Sequence, residues 1–386
     1  MSSSPAPAWG ALIGQARVRE ALTRAVTTGR VAHAYLFHGP DGTGKRAAAL
    51  ALAQRLQGPA GASKVERLIH PDVHLLFPTP SDADARDVAA RLQRLAANPY
   101  AAIDYVRRPS LEDPTKASNK QALYRVEQIN DEVRRTMSLR PLEGRYKITI
   151  LTDADALRVE AANALLKLLE EPSAQSLFVL TTSRPDRLLP TILSRCQRLR
   201  FDVLPAETLE ATLIDRDGLT PDRAALFARM ADGSYTRALD FLENEDLLAH
   251  RQLVIDFMRH AYTQHTAKLA ELVEQFGRLS REQVKGVFQL MLRWMRDLVL
   301  IQTLGPNAPI VNIDQQVTLV RFCGNLPQAD LDALILRTEE ALELAARNVQ
   351  IPLLFIVLAH QLRRAMEGAP TDSLYVPLAH PAPTTA

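Results

Sequence analysis

One run constrains this chain more tightly than anything else in it: His38-Gly39-Pro40-Asp41-Gly42-Thr43-Gly44-Lys45-Arg46. An apolar approach, Ala32-His33-Ala34-Tyr35-Leu36-Phe37, leads in, and an alanine-leucine stretch from Ala47 to Leu56 leads out. Strand, glycine loop and helix in that order are what a phosphate-binding loop requires. Gly39, Gly42 and Gly44 let successive backbone N–H groups turn toward one anion, and the helix N-terminus adds its partial positive charge. Thr43 lies within the loop, and Lys45 is placed to reach the outer phosphates.

A working loop of this kind follows its lysine with Ser or Thr, whose hydroxyl holds magnesium. Arg46 stands there instead. A guanidinium has no acceptor atom and carries its own positive charge, so it cannot replace a metal ligand. The loop keeps its shape and loses its metal side.

The rest of the first half sets strands against helices. Arg30–His38 predicts the strand entering the loop, Gly58-Pro59-Ala60-Gly61-Ala62 a turn, and the end of His70-Pro71-Asp72-Val73-His74-Leu75-Leu76 a second buried strand. A helix over Val126–Leu139 stops before Pro141. Tyr146–Thr152 is a continuous β-branched run of the kind buried in parallel sheets. A helix over Glu160–Glu171 follows, stopped by Pro172, and then the strand Ser176–Thr182. This alternation predicts a doubly wound parallel sheet with its ligand site at the strand C-termini, where Lys45, Asp153 and Thr182 all fall. Residues 78–119 break the rhythm and predict an inserted surface excursion carrying one helix, Asp84–Ala97. Its arginines read as a solvated charge face rather than a DNA patch.

After Phe201 only helical patterns appear. Val287, Leu290, Met291 and Met295 recur at helical spacing, and Trp294 in that stripe belongs to a core or an interface. Domain boundaries follow: a disordered Ser/Pro/Ala tail over 1–8, an α/β module over 9–203, a small helical region over 204–245, an all-α domain over 246–367, and a disordered tail over 368–386. The 46 basic and 44 acidic residues nearly cancel, so no global basic field advertises nucleic acid. Two cysteines, Cys196 and Cys323, without a secretory leader predict a reducing, cytoplasmic location. The longest apolar run, Pro352–Ala359, is far short of a membrane span, and no membrane association is expected.

Three blocks now resemble bacterial clamp-loader subunits of the AAA+ class. They are Asn163-Ala164-Leu165-Leu166-Lys167-Leu168-Leu169-Glu170-Glu171-Pro172, then Leu180-Thr181-Thr182, then Leu189-Pro190-Thr191-Ile192-Leu193-Ser194-Arg195-Cys196. Ile13-Gly14-Gln15 and the approach to the glycine loop fit the same family, so the likeness covers about the first 200 residues. It implies an α/β P-loop (AAA+) module with a parallel sheet, a small helical lid, and an all-α collar through which subunits form a ring.

What the resemblance implies for function depends on where the chain departs from it. Family ATPases finish the strand that here ends at Thr152 with a metal-binding aspartate followed by a catalytic glutamate. Matching without gaps puts Thr152 and Asp153 at those positions. With Arg46 already in place of the hydroxyl, the expectation is a non-hydrolysing member in which ATP binding is vestigial and no cofactor is required. Asp153 or Asp155 acting as a displaced metal ligand is the alternative. Ser194-Arg195-Cys196 is undamaged. In the family its arginine projects into a neighbour's nucleotide site as a finger, against the plainer reading of a surface arginine beside a buried cysteine. Arg237 is offset by one from the family's sensing arginine, which Thr236 replaces. The family's zinc cysteines are missing from Gly58–Ile69, so no zinc is expected. The implied partners are the gamma/tau ATPase and delta subunits, with the sliding clamp and primed DNA met through the complex. An active gamma/tau-type ATPase and a P-loop-derived interaction scaffold are the competing readings.

Overall fold

The computed structural model describes residues 9–105, 108, 110–111, 121–173, 175–243, 246–347 and 349–375. The tail expected over 1–8 lies outside them, as do 106, 107, 109 and 112–119 of the excursion and 376–386 of the other tail. The chain divides into two compact units, Met1–Asp240 and Phe241–Ala386.

In the first unit α1 (Ala16–Thr27) precedes β1 (Ala34–His38), α2 (Lys45–Glu66), β2 (Val73–Leu76) and α3 (Ala85–Ala97). A π-helical segment, Gln128–Arg134, runs into α4 (Arg135–Met137), followed by β3 (Lys147–Leu151), α5 (Val159–Glu170), β4 (Ser176–Thr182), α6 (Pro190–Arg195) and β5 (Gln197–Arg200). The unit closes with α7 (Ala206–Asp217), α8 (Pro221–Met230) and most of α9 (Tyr235–Glu243). The strands form one parallel sheet in the order β2-β3-β4-β1-β5. The chain leaves β1, crosses to the far edge at β2, and returns through β3 and β4, so the C-terminal ends of β3, β4 and β1 stand side by side. Every residue of β3 and β4 is buried, as the unbroken apolar runs require. Edge strand β5 exposes Gln197, Arg198 and Arg200.

Two local readings change. The turn expected at 58–62 is a kink confined to Gly58 (φ 75°, ψ 178°), after which α2 continues to Glu66. Pro59 restarts the helix where its missing N–H would have no partner anyway. The helix expected over Val126–Leu139 opens with the π-helical segment, which buries Ile129 and Val133 beside Met137.

The turn after α4 is held by buried polar groups. The Asp72 carboxylate accepts the N–H groups of Leu142, Glu143 and Gly144, each at 2.8 Å, and pairs with Lys147 at 3.0 Å. Burial alone would raise its pKa, but these donors outweigh that and hold it well below the usual carboxylate range. His70 Nδ1 accepts from the Asp72 N–H at 3.0 Å, a structural use of that histidine.

Among its described residues the second unit holds helices and no strands: α10 (Asp246–Thr263), α11 (Thr266–Gly277), α12 (Arg281–Leu304), α13 (Gln316–Asn325), α14 (Leu331–Ala345) and α15 (Ile351–Met366). Phe355 stacks on Phe276 (4.1 Å between ring centroids) and on Phe288 (4.9 Å) at the centre of its core. Trp294 is buried edge-on against Phe322, a core residue as its place in the stripe predicts. Residues beyond α15 fold back, the Asp372 N–H bonding Gln361 and the Leu374 N–H bonding Glu340. Among the described residues no helix is long and apolar enough to cross a membrane.

Candidate functional site

The glycine loop leaves the sheet from β1, between β4 and the edge strand β5. A side chain on Gly39 (φ 139°) would collide with the Phe201 carbonyl beside β5, and one on Gly42 (φ 73°) with Ser234 just before α9. Both positions need glycine for close approach as well as for conformation. Tyr235 N–H donates to Gly42 O at 3.1 Å, so the turn before α9 sits on the loop itself. At the N-terminus of α2, a Cβ on Gly44 would lie 2.6 Å from the Tyr100 hydroxyl.

The loop's charged groups are turned inward. Buried Lys45 donates from Nζ to the carbonyls of Gly39 (2.7 Å) and Pro40 (2.6 Å). Burial pulls its pKa down to about 8 against the opposing pull of Asp153. Thr43 donates its hydroxyl to Pro40 O at 2.8 Å. Arg46 donates to Ala101 O at 2.8 Å. Burial lowers its pKa, with Asp153 and Asp104 favouring the charge.

Thr152 caps β3 fully buried, and its hydroxyl has no hydrogen-bond partner among the described residues. Its carbonyl and that of Leu76 both lie 2.8 Å from the Tyr124 phenol. Asp153 sits in the left-handed region (φ 49°, ψ 50°) with its N–H on Thr181 Oγ1 at 3.3 Å. Thr182 donates to Asp155 Oδ1 at 2.7 Å, and Arg184 pairs with the other Asp155 oxygen at 2.7 Å.

The fold thus brings the expected Gly42, Gly44, Lys45, Arg46 and Asp153 around one cavity of about 270 Å³, whose wall also includes Asp155 and Arg184. Thr182 reaches this group through Asp155. Ser194-Arg195-Cys196 does not line it. Arg195 ends α6 one-third exposed, its guanidinium 2.5 Å from Glu170 Oε1 on α5 and 3.0 Å from Thr191 O. Ser194 is exposed. Cys196 is buried, and burial pushes its thiol up to about 11, so it packs rather than reacts. Sequence reasoning missed Tyr100 and Tyr124, which stand in stretches without a motif, and the Asp155–Arg184 pair. Among the described residues no cluster of three or more His, Cys, Asp or Glu could hold a metal ion.

A parallel sheet in this order, a glycine loop at the end of β1 and a helical segment after β5 define a P-loop module of the AAA+ class. A family model described as "DNA polymerase III, delta subunit" matches residues 14–205. The chain is 29% identical over 350 residues to DNA polymerase III subunit delta' of Bacillus subtilis, covering 87% of this chain and 92% of that protein. It is 39% identical over 165 residues to subunit delta' of Pseudomonas aeruginosa, covering 43% and 42%. It is 30% identical over 241 residues to subunit gamma/tau of Mycobacterium bovis, covering 60% of this chain and 36% of that longer protein. These similarities, to delta' along most of the chain and to gamma/tau along its first part, support a clamp-loader subunit of DNA polymerase III.

Proposed function

We propose that this clamp-loader subunit does not itself hydrolyse ATP and that it supplies Arg195 to nucleotide held by a gamma/tau-type neighbour. It meets delta, the sliding clamp and primed DNA through the assembled complex, in the cytoplasm. The observation that carries the first part is the metal side of the loop. Arg46, in place of a magnesium-holding hydroxyl, is committed to Ala101 O, and buried Thr152 stands where a carboxylate would be needed. Phosphoryl transfer rests on charge stabilisation around a positioned metal, so a site without those ligands has no means of turnover. Nucleotide binding, if any, would fall to Lys45 and the loop amides, and it is vestigial in this reading. Support for Arg195 is its place at the exposed end of α6, held by one partly exposed carboxylate that it can leave at little cost.

The test is ATP turnover by the purified chain. Turnover no faster than background is expected. Magnesium-dependent turnover that disappears in Lys45→Ala would overturn the reading in favour of an active gamma/tau-type enzyme.

A further inference from the structure

Two features that the family pattern leaves separate, Arg46 and the inserted excursion, meet in the structure. Arg91 on α3, expected on a solvated charge face, is instead completely buried, and it organises part of the segment that follows it. Its guanidinium donates to Ile103 O (2.7 Å) and Arg108 O (2.8 Å), pairs with Asp87 (2.9 Å), and lies over the Tyr105 ring (3.7 Å to the centroid). A fully buried arginine is retained only where its donors are satisfied, and here they fix Ile103, Tyr105 and Arg108, the end of the segment that follows α3.

That segment runs across the glycine-loop site and touches each part of it. The Arg46 guanidinium holds Ala101 O. The Tyr100 hydroxyl lies against Gly44 and accepts the Ile13 N–H at 2.9 Å. The Tyr100 ring meets Tyr235 edge-on at 5.0 Å, its carbonyl accepts from Thr236 Oγ1 at 2.7 Å, and Arg108 pairs with Asp240 at 3.2 Å, all three partners on α9. We infer that residues 84–105 with Arg108 form a built-in strap that holds α9 against the phosphate loop without nucleotide, with Arg46 as its anchor on the loop. The arginine that breaks the metal site therefore has a positive task. This inference is independent of the role proposed for Arg195 and of ATP turnover.

Hydrogen exchange on the full-length chain tests it, comparing wild type with Arg46→Thr, Tyr100→Ala and Thr236→Val. Loss of one such hydrogen bond changes a local opening equilibrium by about two- to tenfold. Exchange in 235–243 and 98–105 should rise by that factor in Arg46→Thr and Thr236→Val, and by more in Tyr100→Ala. The amides of β3 and β4 should be unaffected, and added ATP should leave wild-type α9 unchanged. Unchanged α9 exchange in both Arg46→Thr and Thr236→Val would overturn the strap, and so would a rise spread equally over the sheet. Should Tyr100→Ala fail to fold, the two milder variants decide.

Discussion

Arg195→Ala separates two roles that a static structure superimposes. The side chain is joined to Glu170 at 2.5 Å, with 34% of the arginine side chain and 48% of the glutamate exposed. Such a pair contributes about 0–1 kcal/mol to folding, so the variant should melt within a few degrees of wild type and assemble normally. Its effect on chemistry should be far larger, because an arginine finger accounts for roughly a thousandfold or more at the site it serves. In the proposed trans role one site of the ring depends on this subunit, so the steady-state loss is smaller if other sites fire independently. Single-turnover hydrolysis by the reconstituted complex, with DNA and clamp present, isolates the affected site. Arg195→Lys should rescue only partly, since an ammonium lacks the planar fork. Glu170→Gln frees the guanidinium and should leave the rate equal or raise it by up to about fivefold, the factor worth 1 kcal/mol. Equal single-turnover rates for wild type and Arg195→Ala at equal assembly would refute the trans role. A fall of several kcal/mol in the stability of Arg195→Ala would refute the reasoning from exposure.

Lys45 has its pKa lowered to about 8, chiefly by burial, so any residual affinity for ATP should weaken as pH rises from 7 to 9, and titration calorimetry showing a flat profile would exclude Lys45 as the contact. Gly39→Ala should destabilise much more than Gly29→Ala: both sit at positive φ, but a Cβ at Gly29 meets nothing within 4 Å while one at Gly39 collides with backbone, and equal melting temperatures would contradict this. The depressed Asp72 carboxyl gives stability that is complete above its unfolded pKa of about 3.9 and is lost as pH falls below that value. Asp72→Ala should therefore cost about 3–5 kcal/mol at pH 7, because it leaves Lys147 buried and unpaired, and the variant's denaturation midpoint should fall less steeply than wild type below pH 4.

The sheet was legible because its strands are buried on both faces, and such strands announce themselves as unbroken runs such as Lys147–Leu151 and Ser176–Thr182. The glycine loop was legible for a related reason: its spacing is dictated by backbone geometry, which few sequences satisfy by accident. Residue roles that depend on a distant partner were not. Tyr100 bonds Ile13 and Thr236, far from it in the chain, and no local pattern links those positions. Helix α2 hid its continuation because Gly58-Pro59 is as good a helix start as it is a stop.

The degenerate site also differs from a merely damaged one. In a damaged site the surviving charges would stand unpaired and cost stability. Here Lys45 donates to the loop's own carbonyls, Arg46 to Ala101 O, and Thr182 with Arg184 to Asp155. The charged side chains at the loop and at the end of β4 have thus taken partners within the chain. The Thr152 hydroxyl, buried at the end of β3, has none among the described residues, and the Tyr124 phenol satisfies the neighbouring carbonyls instead. An aspartate there would bring a charge into a fully buried position beside carbonyl oxygens, and a threonine at 46 would release the strap's anchor. Restoring the motif residue by residue would thus work against packing that now depends on their absence. In the structure the side chains of Lys45 and Arg46 hold carbonyls of the chain itself, which is the arrangement the proposed non-hydrolysing role calls for.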